Sequence, residues 1–538
     1  MAHKDRQYEC IVFGATGYTG KYTCEHIASH LPTDFKWAVA GRSEGKLKQL
    51  VGQLKSLNPD RTQPGIETAQ LEKRQLVELA QRTTVLISTV GPYHKYGTVV
   101  VEACAETGTH YLDCTGEVPW VYDMIQAYDE TAKRTGAIMI PQNGIESAPS
   151  DLMCWSLASH IRQTLGVGTA EVVQTTYDMK AAPSGGTLAT ILTLFDTYSL
   201  SHLAKSGRPW SLSCVKPIEP APGRPLLEKA TGVRTVSDLG TLTDSLQSAA
   251  DIPIVNRTWG LIDGGKFYGP NFHMTCYART RNTLTGLGVH LAMTLGFLAI
   301  LLPPVRWLLQ RFVVQPGEGP TKEDAKNDYV EWRAIAHAEV SDPSDPKRAY
   351  GRMRFEGSMY LLTGVCLAEA AVTVARDRTL AHEIGGGLLT PAMLGAPYLE
   401  RLQKAGLKTE TDLDIETTSR YRTDKLTIPM CIARLTNHPC GHAEKAYFNQ
   451  HCKCALIVGP IETTNEPCAS RCASSTPKRP AAQLPLTPPE TPFTTERPAA
   501  VGEKADEGQG RMCGQDTRPD ETVYAALWGH DRIPYSRG

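Results

Sequence analysis

Tyr8-Glu9-Cys10-Ile11-Val12-Phe13 runs directly into Gly14-Ala15-Thr16-Gly17-Tyr18-Thr19-Gly20, and Lys21 to His30 then contains neither proline nor glycine. A short apolar run closed by glycine reads as a buried parallel strand, and the uninterrupted segment after it as a helix. Strand, glycine-spaced turn and helix form the context in which a phosphate-binding loop makes physical sense. Gly14 permits the tight turn, Gly17 lets the backbone approach a pyrophosphate, and Gly20 lets helix and strand pack closely. The unpaired N–H groups and the dipole at the helix start then attract phosphate. Glycines punctuate loops everywhere, so the motif needs support from its surroundings.

That support comes from position, from the next strand and from the alternation that follows. Lys36-Trp37-Ala38-Val39-Ala40 reads as a second strand ending in Gly41-Arg42-Ser43. An acidic residue at its end would hydrogen-bond a ribose 2′-hydroxyl and select NAD. Arg42 stands there instead, and a guanidinium suits a 2′-phosphate, so NADP(H) is the expected cofactor. The plainer alternative makes Arg42 a solvated strand end. Helices are then expected at Glu44–Lys55, Leu71–Arg82, Thr98–Thr107 and Val121–Arg134, with Asn58–Gly65 as a loop. Strands are expected at Thr84–Val90, His110–Cys114 and Ala137–Pro141. Strand–helix repetition with strands running into Gly/Ser/Thr-rich ends describes an α/β, doubly wound parallel sheet. Ligands bind such sheets outside the carboxyl ends of the strands, which makes Thr89, Val90, Gly91 and Pro92 cofactor-binding candidates beside the glycine loop and Arg42-Ser43.

At 538 residues the chain exceeds one compact core. A hydrophobic content of 41% with a net charge of −1 describes an ordinary globular protein and gives no electrostatic reason to expect nucleic acid. Met1–Arg6 leads straight into the first strand without a secretory signal, so a cytoplasm-facing location is expected. The eight cysteines before residue 400 are then free thiols, with Cys10, Cys24, Cys104 and Cys366 as small core residues.

Asn143-Gly144-Ile145-Glu146-Ser147-Ala148-Pro149-Ser150-Asp151 forms the expected hinge, with Ser150 or Asp151 capping a helix from Leu152. Together with F-G-A-T-G-Y-T-G, A-G-R-S, S-T-V-G-P-Y and Y-L-D-C-T-G-E, this stretch resembles the saccharopine dehydrogenase-like oxidoreductase family. Lys180–Thr187 and Gly385–Ala392 extend the likeness, which covers roughly residues 7–410. The family includes trans-acting enoyl reductases and lipid-droplet-associated relatives. The resemblance implies an NADP-type Rossmann domain, an inserted second α/β domain and lipid-linked biology, but not saccharopine cleavage.

The expected organisation is a Rossmann domain over 1–150, a second domain over 151–375 and helices packing back over 376–415. A largely disordered tail follows over 416–538. Strands are expected at Ala170–Asp178, near Tyr268–Ala278, at Asp328–Glu339 and at Arg352–Gly357, with helices at Thr187–Tyr198 and Ser358–Ala375. Gly185-Gly186-Thr187 reads either as a second close-approach turn or as a plain cap. Asn282 to Val305 holds no Asp, Glu, Lys or Arg, and Trp307-Leu308-Leu309 follows between Arg306 and Arg311. This segment reads as a buried or oligomer-interface helix, a hairpin on a membrane or lipid-droplet surface, or a span. Seven of the 15 cysteines lie beyond residue 430. Cys440, His442, Cys452 and Cys454 are metal-ligand candidates there, although their spacing matches no common zinc finger, and an unstructured tail is the alternative. Ala469–Lys504, rich in Pro, Thr, Ala and Ser, cannot bury a core.

For hydride transfer the protein must position the acceptor and supply a proton. The Tyr-x-x-x-Lys pair of short-chain reductases occurs only at Tyr421–Lys425, outside the expected sheet, and reads as chance. The carboxyl edge offers Tyr93, His94, Lys95, Tyr96, Asp113, Glu117, Asn143 and Glu146. Tyr93 is a candidate donor with Lys95 lowering its pKa, or else it packs along the cofactor. Glu117 and Glu146 read equally as caps, ribose contacts or acids. The expected function is NADP(H)-dependent reduction of a C=C or C=O in a lipid-like or polyketide-derived substrate, with a homodimer among the expected assemblies. The alternative is a lipid-surface scaffold that keeps the fold without turnover.

Overall fold

The computed structural model describes residues 6–181, 185–218, 223–312, 320–340, 346–414, 435–437 and 443–445. The expected disorder of the tail, its four metal-ligand candidates and Tyr421–Lys425 lie outside these residues. The chain divides into two units, Met1–Arg420 and Tyr421–Gly538. In the second, Leu435–Asn437 pairs antiparallel with Ala443–Lys445.

Two seven-stranded sheets build the first unit. In chain order its strands are β1 (Tyr8–Phe13), β2 (Trp37–Gly41), β3 (Gly65–Thr68), β4 (Thr83–Ser88), β5 (His110–Asp113), β6 (Ile138–Ile140), β7 (Thr169–Lys180), β8 (Val233–Val236), β9 (Gly240–Asp244), β10 (His273–Arg279), β11 (Tyr329–Ala338), β12 (Arg348–Glu356), β13 (Gly387–Leu388) and β14 (Lys408–Asp414). The first sheet has the order β13-β6-β5-β4-β1-β2-β3, and every pairing in it is parallel. The strand order reverses between β1 and β4, which is where doubly wound sheets open a crevice for ligands. The register aligns Phe13 with Ser88 and with Ala40. The turns that follow β1 and β4 therefore leave the sheet side by side.

The central strands are apolar throughout because both faces are covered: Cys10, Ile11 and Val12 of β1 and Val85, Leu86 and Ile87 of β4 are fully buried. One cover is the helix Met359–Arg376, which lies against the helix Tyr18–His30 and strands β1, β4 and β5. A Cβ at Gly364 would meet Thr23 N and Tyr22 C at 2.8 Å, so glycine sets the depth of that helix crossing. His26 Nε2 and Glu369 Oε1 meet at 2.8 Å in the buried interface. The sequence boundary at 375 groups this helix with the second domain. Its apolar circumference is buried against the first sheet instead.

The second sheet has the order β14-β12-β11-β7-β10-β9-β8, with β7 and β10 parallel and the rest antiparallel. The helix Ala148–Leu165 leaves β6 and packs on β7, β11, β12 and β14. Its start lies earlier than expected, with Ser147 at the cap position and no side-chain cap bond. Ser150 and Asp151 sit one turn in and point into the core. Ser150 Oγ donates to Asp251 Oδ2 (2.7 Å), and Asp151 Oδ1 accepts from Thr258 (2.5 Å). Both partners belong to the helix Ser248–Leu261, so this polar knot joins two helices that pack on the second sheet.

Candidate functional site

The turn after β1 is shaped by steric limits that only glycine meets. Gly14 adopts φ +88°, and a Cβ there would lie 2.8 Å from both Thr89 Oγ1 and Val90 Cγ2. A Cβ at Gly20 would collide with the Gly14 carbonyl oxygen and sit 2.9 Å from Thr89 Oγ1. Gly17 caps the helix Tyr18–His30 in extended conformation, without a side-chain cap bond and with no acid in the first turn. The first N–H groups and the positive dipole end of that helix are thus available to an anion. Ala15 is buried, while Thr16 and Thr19 are half-buried beside the turn. Tyr18 faces away from it: its hydroxyl donates to Pro320 O (2.5 Å) and its ring packs edge-on against Tyr360.

The turn after β4 closes the other side. Thr89 N donates to Phe13 O (2.9 Å), and Thr89 Oγ1 lies 3.1 Å from Gly14 O, which locks the two turns together. Val90 is half-buried beside Gly14, and the Gly91-Pro92 peptide is cis. At the end of β2, Arg42 and Ser43 are exposed, and Arg42 pairs with no carboxylate among the described residues. These residues suit a dinucleotide: a backbone cradle for the pyrophosphate and a free guanidinium for a 2′-phosphate.

Tyr93 does not face this crevice. Its hydroxyl donates to Ser88 O (3.0 Å), its ring packs 5.5 Å from that of Trp120, and burial pushes its pKa well up. Lys95 is exposed and does not reach it. Glu117 accounts for the turn inward. Its carboxylate accepts from Tyr93 N (2.7 Å), His94 N (2.8 Å) and His94 Nδ1 (2.6 Å), and so caps the short helix Tyr93–Tyr96.

Further along the same edge, Asp113 is buried and accepts from Tyr111 Oη (2.7 Å), Thr115 N (2.9 Å) and Gln142 N (3.0 Å). With no cation beside it, burial raises its pKa to about 7. Asn143 anchors the loop to the helix cover, donating to Cys366 O (3.2 Å) and accepting from Tyr398 Oη (3.0 Å).

Three neighbours of Asn143 are different. Gln142 is fully buried at φ +60°, and neither its amide oxygen nor its nitrogen has a hydrogen-bond partner among the described residues. Ser147 Oγ is likewise buried and unpartnered. Glu146 is half-buried over Gly116, forms no hydrogen bond or ion pair among the described residues, and has its pKa raised by desolvation alone. Buried polar groups are normally satisfied, and an exception at a sheet's carboxyl edge is a place where a ligand or a water can complete it. The positive φ and missing partners of Gln142 carry no sequence signal. Glu146 is distinguished from Glu117 only by what surrounds each.

Residues 10–140 match the saccharopine dehydrogenase NADP-binding domain family. The chain is 30% identical over 434 residues to a putative trans-acting enoyl reductase of Mycobacterium tuberculosis, covering 76% of this chain and 99% of that one. It is 28% identical over 440 residues to a trans-acting enoyl reductase of Mycobacterium bovis, covering 76% and 98%. Among solved structures, apo saccharopine dehydrogenase (L-Glu forming) of Saccharomyces cerevisiae is similar over 75% of this chain and 99% of that chain, at 13% identity and a TM-score of 0.38. The glycine cradle at a parallel-sheet switch point, carried by a matching NADP-binding domain, defines an NADP-dependent oxidoreductase. The chain belongs to the saccharopine dehydrogenase-like oxidoreductases, together with the trans-acting enoyl reductases.

Proposed function

We propose that this oxidoreductase reduces a carbon–carbon double bond conjugated to a carbonyl, in a lipid-like or polyketide-derived acyl substrate. The observation that carries the reading is the pair Gln142 and Ser147, buried and unpartnered among the described residues, with Glu146 beside them on the sheet edge that also bears the cofactor cradle. The names of the mycobacterial relatives support the choice of an enoyl substrate over a simple ketone. NADPH, when bound, supplies a hydride, and the backbone of Gly14–Gly20 with Arg42, Ser43 and Thr89–Pro92 would hold it.

The protein's own part is polarisation and proton delivery. Reducing an enone or enoyl thioester puts negative charge on the carbonyl oxygen and requires a proton at the adjacent carbon. The Gln142 amide and the Ser147 hydroxyl are donors whose hydrogen bonds no group among the described residues takes up, and they stabilise that oxygen. Glu146 carries the proton: desolvation raises its pKa above the usual carboxylate range, which favours the protonated form that a donor needs. Tyr93 and Glu117 act indirectly, by fixing the loop at the end of β4.

The test is NADPH consumption by the full-length protein offered a medium-chain 2-enoyl thioester and, separately, the matching ketone. The saturated thioester as product supports the reading. Turnover of the ketone alone overturns it in favour of carbonyl reduction, and turnover of neither removes the substrate assignment.

A further inference from the structure

Among the described residues two helices are long and apolar enough to cross a membrane, and they meet opposite fates. Met359–Arg376 is buried against the first sheet. Thr283–Leu301 has one buried residue, Gly286, and almost its whole length stands in solvent. Asn282 caps it through Thr285 N, its base rests on β9, and at Leu302 the chain turns into a second helix, Pro303–Phe312. Leu284 is 79% exposed, Leu295 64% and Trp307 61%. An apolar surface of this extent marks an interaction site.

The geometry points to a phospholipid surface as the occupant of this hairpin. Leu284, Leu291, Leu295, Leu298 and Leu302 form one exposed stripe. Phe297 and Val289 are also exposed, about 140° from Leu284 on either side of the helix. His290 pairs with Asp244 at 2.6 Å and seats the base of the helix; beyond that base the exposed large side chains are apolar around the helix, a surface that lipid covers and a single partner helix would not. The charges agree. Between Asp263 and Glu318 the chain holds no acidic residue. Arg281 and Arg311 flank the apolar stretch, exposed and without a carboxylate partner among the described residues, which suits anionic headgroups. Arg311 stands 5.7 Å above the ring of Trp307, an aromatic of the kind that settles at lipid–water interfaces.

The hairpin is also continuous with the edge of the cofactor crevice. Phe297 packs against Phe195 at 5.8 Å, and Arg306 Nε pairs with Asp196 at 3.0 Å. Both partners lie near the end of the helix Gly185–Thr197. Tyr198, the next residue after that helix, lies 6.3 Å from His94, which follows the Gly91-Pro92-Tyr93 turn. Docking therefore bears on the helix that backs the turn after β4. The docking itself does not depend on the substrate proposed above.

The test is flotation of the full-length protein with vesicles of phosphatidylcholine containing one-fifth phosphatidylserine, run beside Leu295→Asp/Leu298→Asp. The wild type is expected to float. The double variant, which still binds NADPH, is expected to lose more than about a hundredfold in partitioning, at roughly tenfold or more per leucine. Quenching of Trp307 fluorescence by brominated lipid, absent in Trp307→Phe, reads the same contact without the aspartate variant. Wild-type protein that stays with the soluble fraction overturns the proposal, whether it runs as a monomer or as a dimer that hides the hairpin.

Discussion

Replacing Arg42 by alanine removes the exposed cation that directly follows the second strand. The guanidinium is exposed and has no carboxylate partner among the described residues, so its loss leaves no buried charge behind. Thermal stability should change by no more than about 0.5 kcal/mol. Charge-assisted hydrogen bonds to a phosphate contribute about 1.5–3 kcal/mol, and solvent screening at an exposed position favours the lower end. The expected weakening of NADPH binding is therefore about tenfold to thirtyfold. NADH lacks the 2′-phosphate and should bind the variant as it binds the wild type. Titration of nicotinamide fluorescence with both nucleotides measures this directly, and raising the salt concentration should shrink the wild-type preference. Equal weakening of both nucleotides would refute the reasoning by making Arg42 a structural residue. An unchanged NADPH affinity would place recognition of the 2′-phosphate elsewhere.

Gly20→Ala drives a methyl group into the Gly14 carbonyl and Thr89, and should cost about 1–3 kcal/mol in denaturant unfolding together with most NADPH affinity. Glu146→Gln should lower kcat by about 10²–10⁴ while leaving NADPH affinity intact, and should abolish the fall in kcat as pH rises through the raised carboxyl pKa. Asp151 has its pKa raised from 3.8 to about 7 by burial, so the folded chain binds more protons than the unfolded one between those values. Stability from this group is full below about pH 4 and is lost as pH rises through 7. Scanning fluorimetry should therefore show the Tm of Asp151→Asn rising relative to wild type across that window. A constant difference would mean that the carboxyl titrates alike in both states.

Much of the first sheet can be read from the chain because burial on both faces forces continuous apolar runs. The runs at Ile11–Phe13 and Val85–Ile87 occupy β1 and β4. The glycine pattern is legible for the same kind of reason: steric exclusion at Gly14 and Gly20 permits one residue type. Edge elements are not. β3 is a half-buried edge strand with a single large apolar residue, Ile66, and β13 is two residues long, so neither has a period to detect. The helix Ser248–Leu261 carries Pro253 inside its first turns, which reads as a break until tertiary packing overrides it.

Site residues divide by range. The cradle is local in sequence and was visible there. The inward turn of Tyr93 depends on a carboxylate 24 positions away. The isolation of Glu146 depends on which partners the fold fails to bring near it. Ser150 and Asp151 carry good capping chemistry, yet the fold gives that polarity to a second helix, more than 100 residues downstream.

The most direct measurement follows the hydride. Full-length protein would be incubated with NADPH deuterated at C4 of the nicotinamide and with a 2-enoyl thioester, and the product analysed by mass spectrometry. The account predicts a saturated acyl chain with deuterium at the carbon β to the carbonyl and a solvent proton at the α carbon, formed slowly or not at all by Glu146→Gln. Deuterium on a carbinol carbon, or NADPH consumed without deuterium in the acyl chain, would contradict it.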